Sequence, residues 1–259
     1  MRQLLSDDEL AQELAAQAGE RLLALRAGGG EPDELRKAGD RSSHEFLTAE
    51  LARLRPGDAV LSEEGEDDPA RLAADRVWIV DPLDGTREYG EPGRTDWAVH
   101  VALWERGELT AGAVALPARN RVLSTAEPPS RTGPGNAAGV GGQPLRIVMS
   151  RTRAPAFLAP LAASLDATLV PLGSAGAKAA AVILGEAGAY VHDGGQYEWD
   201  SAAPVAVALA AGLHASRLNG SKLAYNQASP WQPDILICPE ALADRLLAAI
   251  SDVRPPETE

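Results

Sequence analysis

The chain is short of several things. Its 259 residues include a single cysteine, Cys238, so no disulfide can form within it and a reducing compartment is its natural home. Basic charge is scarce: 24 Lys and Arg stand against 37 Asp and Glu, a formal charge of −13. A surface of that sign has no field to draw in nucleic acid or an anionic membrane. It also repels phosphorylated metabolites unless a local positive charge is supplied. Long apolar runs are lacking too. The longest, Ala202 to Leu213, is twelve residues and carries Pro204, against the roughly 20 that a membrane-spanning helix needs. The opening residues turn acidic at Asp7, Asp8 and Glu9, without the apolar stretch of a secretory leader. No internal repeat or long low-complexity tract occurs. These absences lead us to expect a cytoplasmic protein with neither nucleic-acid polymers nor membranes as partners.

What is present can fold. At 45% hydrophobic the chain can bury a real core, as one large domain or two closely packed ones. Ser6 and Glu9 spell a capping box, and Leu10, Leu14, Ala18, Leu22 and Leu25 recur at helical spacing until Gly28. This predicts a helix over 7–27, and a second is expected at 43–54. Short apolar or alternating runs at 77–80, 97–104, 111–116 and 121–125 predict strands of an antiparallel sheet. Residues 127–144 hold five Gly and four Pro among 18 positions and read as a connection. Beyond it strands (145–149, 168–172, 189–192, 234–238) alternate with helices (154–165, 175–187, 201–212, 240–251), an α/β rhythm. The expected division is an N-terminal α+β part over 1–140 and a C-terminal α/β part over 141–259.

The chemistry concentrates in acids. Trp78-Ile79-Val80-Asp81-Pro82-Leu83-Asp84-Gly85-Thr86 sets two carboxylates three residues apart at the end of a buried strand, with a stiff proline between them. Gly85 permits close backbone approach to a ligand, and a hydroxyl follows. Such hard oxygens suit Mg²⁺, although an Asx-type turn would use the same residues. Upstream, Ser62 to Asp68 contains five acids in seven residues, a pattern that also fits a solvated loop. Glu63 and Glu64 there follow the short apolar run Ala59-Val60-Leu61. Asp200, after Trp199, and Asp40 precede expected helices, where each would equally serve as an N-cap.

These three separated motifs, in this order and over roughly 7–252, resemble the inositol monophosphatase-like superfamily of metal-dependent phosphomonoesterases. Asp-Pro-Leu-Asp-Gly-Thr-Arg-Glu-Tyr looks most like the branch acting on 3′-phosphoadenosine 5′-phosphate. The resemblance implies an α/β fold, a layered αβαβα sandwich, and two or three Mg²⁺ per site. It implies that Glu63, Asp81 and the Leu83 carbonyl hold one metal, and Asp81, Asp84 and Asp200 the second. It further implies that Asp40 pairs with Thr86 to orient and deprotonate a metal-activated water, with Glu63 in the catalytic set. Gly85 and Thr86 would bind the phosphate. Arg87, Ser150, Arg151, Ser174, Lys178, His192 and Asp200 would contact the rest of a small phosphorylated nucleotide, giving adenosine 5′-phosphate and phosphate. A homodimer, lithium sensitivity and a place in sulfate assimilation belong to the same expectation.

Three other readings compete. The same metal core would serve inositol 1-phosphate or fructose 1,6-bisphosphate, and a binding protein without catalysis would keep the acids. The haloacid dehalogenase superfamily uses a nucleophilic Asp in Asp-x-Asp-Gly-Thr, but two residues, Pro82 and Leu83, separate the acids here. The alternating face Ala98, His100, Ala102 suggests that His100 is packed rather than catalytic.

Overall fold

The computed structural model describes residues 5–130 and 144–254. The first helix, α1 (Asp7–Ala27), opens on the box its sequence spells. The Glu9 amide donates to Ser6 Oγ at 3.2 Å, and the Ser6 amide donates to Glu9 Oε2 at 2.8 Å. The second helix, α2 (Pro32–Leu54), starts at Pro32 rather than at 43. A proline at the first helical position has no amide to lose and is the start signal there. Asp40 therefore lies inside α2 and is not an N-cap.

The first sheet runs β1 (Ala59–Ser62), β2 (Arg76–Asp84), β3 (Ala98–Glu105), β4 (Glu108–Leu116), β5 (Arg121–Ser124), neighbours in that order. It is antiparallel except at β1, which pairs parallel with β2, Ala59 opposite Val77 and Ser62 opposite Val80. A single turn of helix, α3 (Thr86–Gly90), follows β2. The second sheet contains β6 (Leu145–Ser150), β7 (Ala167–Leu172), β8 (Ala189–Tyr197), β9 (Leu213–Ser216) and β10 (Trp231–Pro239), in the order β7-β6-β8-β10-β9. β6 is parallel to β7 and β8, and β10 is antiparallel to β8 and β9. Strand β9 has no counterpart among the expected strands: its first residue, Leu213, closes the apolar run that reads as helix. The helices here are α4 (Leu158–Leu165), α5 (Ala175–Ile183), α6 (Glu198–Ala210) and α7 (Ala243–Val253).

Three apolar clusters stack these elements into five layers. Leu10, Leu14 and Leu22 of α1 and Leu47 and Leu51 of α2 cover one face of the first sheet through Trp78, Val99 and Val101. On its other face Ile79 and Ala102 meet Val182 of α5 and Ala203 of α6, and those helices also pack on Tyr190, Ile235 and Ile237 of the second sheet. Leu161 of α4 and Leu246 of α7 close the far side over Ile147 and Leu236. The fold is thus the αβαβα sandwich expected, with α5 and α6 shared between the sheets. The approach of α6 is close enough that a Cβ at Gly112 of β4 would fall 2.6 Å from Ala206 Cβ. Cys238 is buried in β10 and unpaired, its thiol pushed up to about 12 by burial. The glycine-rich connection over 131–143, and with it the division at 140, lies outside the described residues.

Candidate active site

Strict strand alternation would send Asp81 and Asp84, three apart, to opposite faces of the sheet. The β2–β3 register prevents this. Asp81 stands opposite His100 but Asp84 opposite Ala98, so three steps on β2 match two on β3. This bulge at Pro82-Leu83 re-aims the strand end. Both carboxylates then meet Asp200, with one oxygen of each acid within 4.8 Å of the others. Asp81 also makes the Asx contact the sequence allowed, Oδ1 accepting from the Leu83 amide at 3.0 Å.

Asp81 and Asp84 share the end of β2, and the other acids arrive from different elements. Glu63 follows β1, its amide donating to the Val80 carbonyl at 3.4 Å, and its carboxyl lies within hydrogen-bonding reach of Asp81. Asp200 sits in the first turn of α6, which begins at Glu198 rather than 201, and its Oδ2 accepts from the Tyr197 amide at 2.7 Å. The start of α6 is fixed from below. Buried Glu198 accepts from the amides of Asn226 and Gln227, and buried Arg71 binds Asn226 Oδ1 at 2.7 Å. Asp84 is gripped by α5: its oxygens accept from the amides of Ala175 (3.1 Å) and Gly176 (2.6 Å). His100 Nε2 lies 3.1 Å from Asp84 Oδ2 as an ion-pair contact off hydrogen-bond alignment, and the Trp199 carbonyl is 3.0 Å from Nδ1. His100 is packed, as its face suggested, but against a site carboxylate.

The electrostatics follow from this crowding. Burial pushes the Asp81 carboxyl well above its ordinary value, and Glu63, Asp84 and Asp200 add to the rise. Glu63 is pushed up to about 7, first by desolvation at its carboxyl and then by Asp200, although the residue as a whole is exposed. Burial and Asp84 push Asp200 up to about 6. Asp84 alone is lowered: burial would raise it, but His100, Lys178 and the Gly176 amide outweigh that. Carboxyls that resist losing protons for want of a cation, all hard oxygen donors, fit a divalent metal.

Asp40 reaches the cluster from α2. Its neighbour Gly39 lets the helix lie so close that a Cβ there would fall 2.8 Å from Tyr89 and 3.0 Å from Leu83. The Thr86 hydroxyl lies 3.3 Å from Asp40 Oδ1 and 3.0 Å from the Leu83 carbonyl, and its one hydrogen serves one of them at a time. Burial and Glu64 push Asp40 up to about 6. Gly85 heads this turn at φ +84°, a conformation that favours glycine.

A cleft of about 550 Å³ opens beside the acids, between the two sheets' loops. Of the residues named from sequence, Asp84, Gly85, Arg87, Ser150, Ser174, Lys178, His192 and Asp200 line it. Arg151 does not: its guanidinium is tied to Glu88 and Glu91 at 2.5 and 2.6 Å. Exposed Arg153 lines the cleft instead, and neither it nor Arg87 has a side-chain partner among the described residues. Lys178 is buried, its Nζ donating to the carbonyls of Gly173 and Ser174, and burial pushes it down to about 8. Ser174 caps α5, its hydroxyl accepting from the Ala177 amide. His192 is no substitute cation. Burial pushes it down to about 4, so its ring is neutral at pH 7. Glu88 and Arg153 escaped the sequence reading, and the contact of His100 with Asp84 did too, since no local spacing ties them to the acids. A larger groove of about 810 Å³ beside α1 holds no such acid cluster among the described residues.

This site on this fold is that of a metal-dependent phosphatase, and the chain belongs to the inositol monophosphatase family, whose model matches residues 5–254. Its relatives narrow the class. It is 55% identical over 242 residues to the 3′-phosphoadenosine 5′-phosphate phosphatase of Mycobacterium tuberculosis, covering 91% of this chain and 90% of that protein. It is 52% identical to the phosphatase of the same name from Mycobacterium leprae, covering 96% and 95%. Among solved structures it resembles CysQ of Bacteroides thetaiotaomicron, a bacterial member of the family, with a TM-score of 0.75 and 25% identity over 89% of this chain and 96% of that one. Among the described residues no helix is long and apolar enough to cross a membrane.

Proposed function

We propose that the protein hydrolyses the 3′-phosphate of 3′-phosphoadenosine 5′-phosphate to adenosine 5′-phosphate and phosphate, using Mg²⁺. One observation carries this reading: an acid cluster fit for divalent metal opens into a cleft whose other bank bears Arg87, Lys178 and Arg153. Glu63, Asp81, Asp84, Asp200 and the Leu83 carbonyl would hold two or three ions. Such ions lower the pKa of a coordinated water and neutralise charge on the phosphoryl group. The protein's own groups do the rest. Thr86, hydrogen-bonded to Asp40, orients the water, and Asp40 receives its proton through that hydroxyl. Gly85 brings the backbone close to the reacting phosphate. Arg87, Arg153 and Lys178 neutralise the second phosphate, which sugar monophosphates lack.

The reaction so drawn is a direct hydrolysis with no phosphoenzyme. A cytoplasmic homodimer, inhibited by lithium and clearing the product of sulfonate transfer, completes the proposal; the single buried thiol and the family likeness support it. The test is a panel of 3′-phosphoadenosine 5′-phosphate, inositol 1-phosphate and fructose 1,6-bisphosphate at fixed Mg²⁺ with lithium titration. The nucleotide should give the highest kcat/KM, since that ratio measures differential transition-state binding. A higher value on either sugar phosphate, or a trapped phosphoaspartate, would sink the reading.

A further inference from the structure

Glu88 lines the cleft beside Arg87 and Lys178, yet its charge repels phosphate and the hydrolysis above makes no use of it. The sequence reserves its place. A Cβ at Gly173 would fall 2.3 Å from Glu88 Cγ, and one at Gly85 would fall 3.3 Å from Glu88 Oε2. Gly173 precedes α5 and Gly85 heads α3, so one glycine from each sheet's loops makes room for this carboxylate. Arg151 then fixes it, Nε donating to Oε1 at 2.5 Å while Nη2 holds Glu91 at 2.6 Å. That contact explains why Arg151 faces away from phosphate. Oε2 has no hydrogen-bond partner among the described residues and is not sealed from solvent. Glu88, only 5% exposed, is therefore held by one oxygen and lacks a protein donor at the other, next to the turn that carries Gly85 and Thr86.

We infer that Glu88 accepts a hydrogen bond from the sugar hydroxyl adjacent to the phosphorylated carbon, and so selects substrates whose neighbouring hydroxyl is free. The inference rests on the nucleotide reading, for which that group is the 2′-hydroxyl. An ionised carboxylate only accepts, so it binds a hydroxyl and repels a phosphate in the same place. A site built to bond a substrate hydroxyl discriminates strongly against the analogue without it, because its own polar group is left unpaired.

The experiment compares adenosine 3′,5′-bisphosphate with its 2′-deoxy analogue at saturating Mg²⁺. Wild type should lose about tenfold to a hundredfold in kcat/KM on the deoxy compound, the range for a hydrogen bond to a charged group. Glu88→Gln should shrink that preference to a few-fold and Glu88→Ala should erase it, thermal denaturation confirming that each folds. Equal wild-type rates on the two nucleotides would overturn the assignment of Glu88 alone, as would a preference kept intact in both variants. No phosphate released from either nucleotide would overturn the nucleotide reading and this inference with it. Where the alanine variant does not fold, the near-isosteric Glu88→Gln still carries the test, and equal wild-type rates overturn the assignment by themselves.

Discussion

The two banks of the cleft are built in different ways. The acidic bank has a local kernel, to which β1 brings Glu63 and α6 brings Asp200. Asp81, Asp84, Gly85 and Thr86 lie within six residues, and a bulge converts their spacing into convergence. The cationic bank is assembled from the end of β6, the start of α5 and the turn after β2, with Arg153, Lys178 and Arg87 far apart in the chain. The comparison teaches that the motif acids lie in one short segment, whereas the cations meet only where the two sheets' loops come together. Part of the acid excess behind the charge of −13 is gathered in one cluster fit for a divalent metal, and three cations line the same cleft.

The largest way to break this contrast is at its acidic side. Asp84→Asn should cut kcat/KM on every phosphomonoester by about a thousandfold or more, since several kcal/mol of metal-borne stabilisation go with it. Phosphate release reads this, and calorimetry should show Mg²⁺ binding weakened in parallel. A loss confined to one substrate would place Asp84 on the wrong bank. Next comes Lys178→Met. It should cost about tenfold to a hundredfold on the nucleotide bisphosphate and much less on a monophosphate, as expected for one charged hydrogen bond. An equal loss on both would show that Lys178 serves the reaction rather than the second phosphate.

A smaller effect sharpens the boundary between the banks. His100→Asn keeps a short polar side chain against Asp84 and should weaken Mg²⁺ affinity by about tenfold, within the range for groups that orient ligands. Calorimetric Mg²⁺ affinity equal to wild type would leave His100 a packing residue only. The smallest effect on activity should come from a site outside both banks. Buried Asp234 is bound by Arg217 at 2.6 Å and Arg254 at 2.7 Å. Burial would raise its carboxyl, but those guanidiniums and the Leu218 amide hold it below its ordinary value. Its contribution to stability is therefore present in full above the unfolded-state value and lost as pH falls through the lowered folded value. Asp234→Asn should lower the melting temperature at pH 7, lose that difference in strong acid, and leave kcat/KM within a factor of two or three of wild type. A melting difference unchanged down to pH 2 would show that the ion pairs are not its source.

Much of this was legible in the chain. The capping box set the start of α1, the apolar run before Asp81 set β2, and the alternation of strands and helices after residue 145 set the second half. Pro32 is the start signal of α2, eleven residues before the expected 43, and it puts Asp40 inside the helix rather than at its cap. Asp200 does accept from the Tyr197 amide at the start of α6, so capping and a place in the acid cluster go together there. Arg151 and Arg153 could not be told apart by spacing. Only the partner decides: Glu88 and Glu91 occupy the first and leave the second free.

The sequence by itself determined the candidate acids and, through the family resemblance they carry, the class of chemistry, while the β2–β3 register made Asp81 and Asp84 converge. It also determined the alternation of strands and helices after residue 145, because hydrophobic period is a local property, whereas the layered stacking was implied by the family resemblance. Only the tertiary structure decided which cations face the substrate, that His192 is neutral, that His100 touches Asp84, and that one Glu88 oxygen lacks a donor among the described residues beside the phosphate turn. Those outcomes depend on burial and on partners dozens of residues away, and neither is a property of any stretch of chain taken alone.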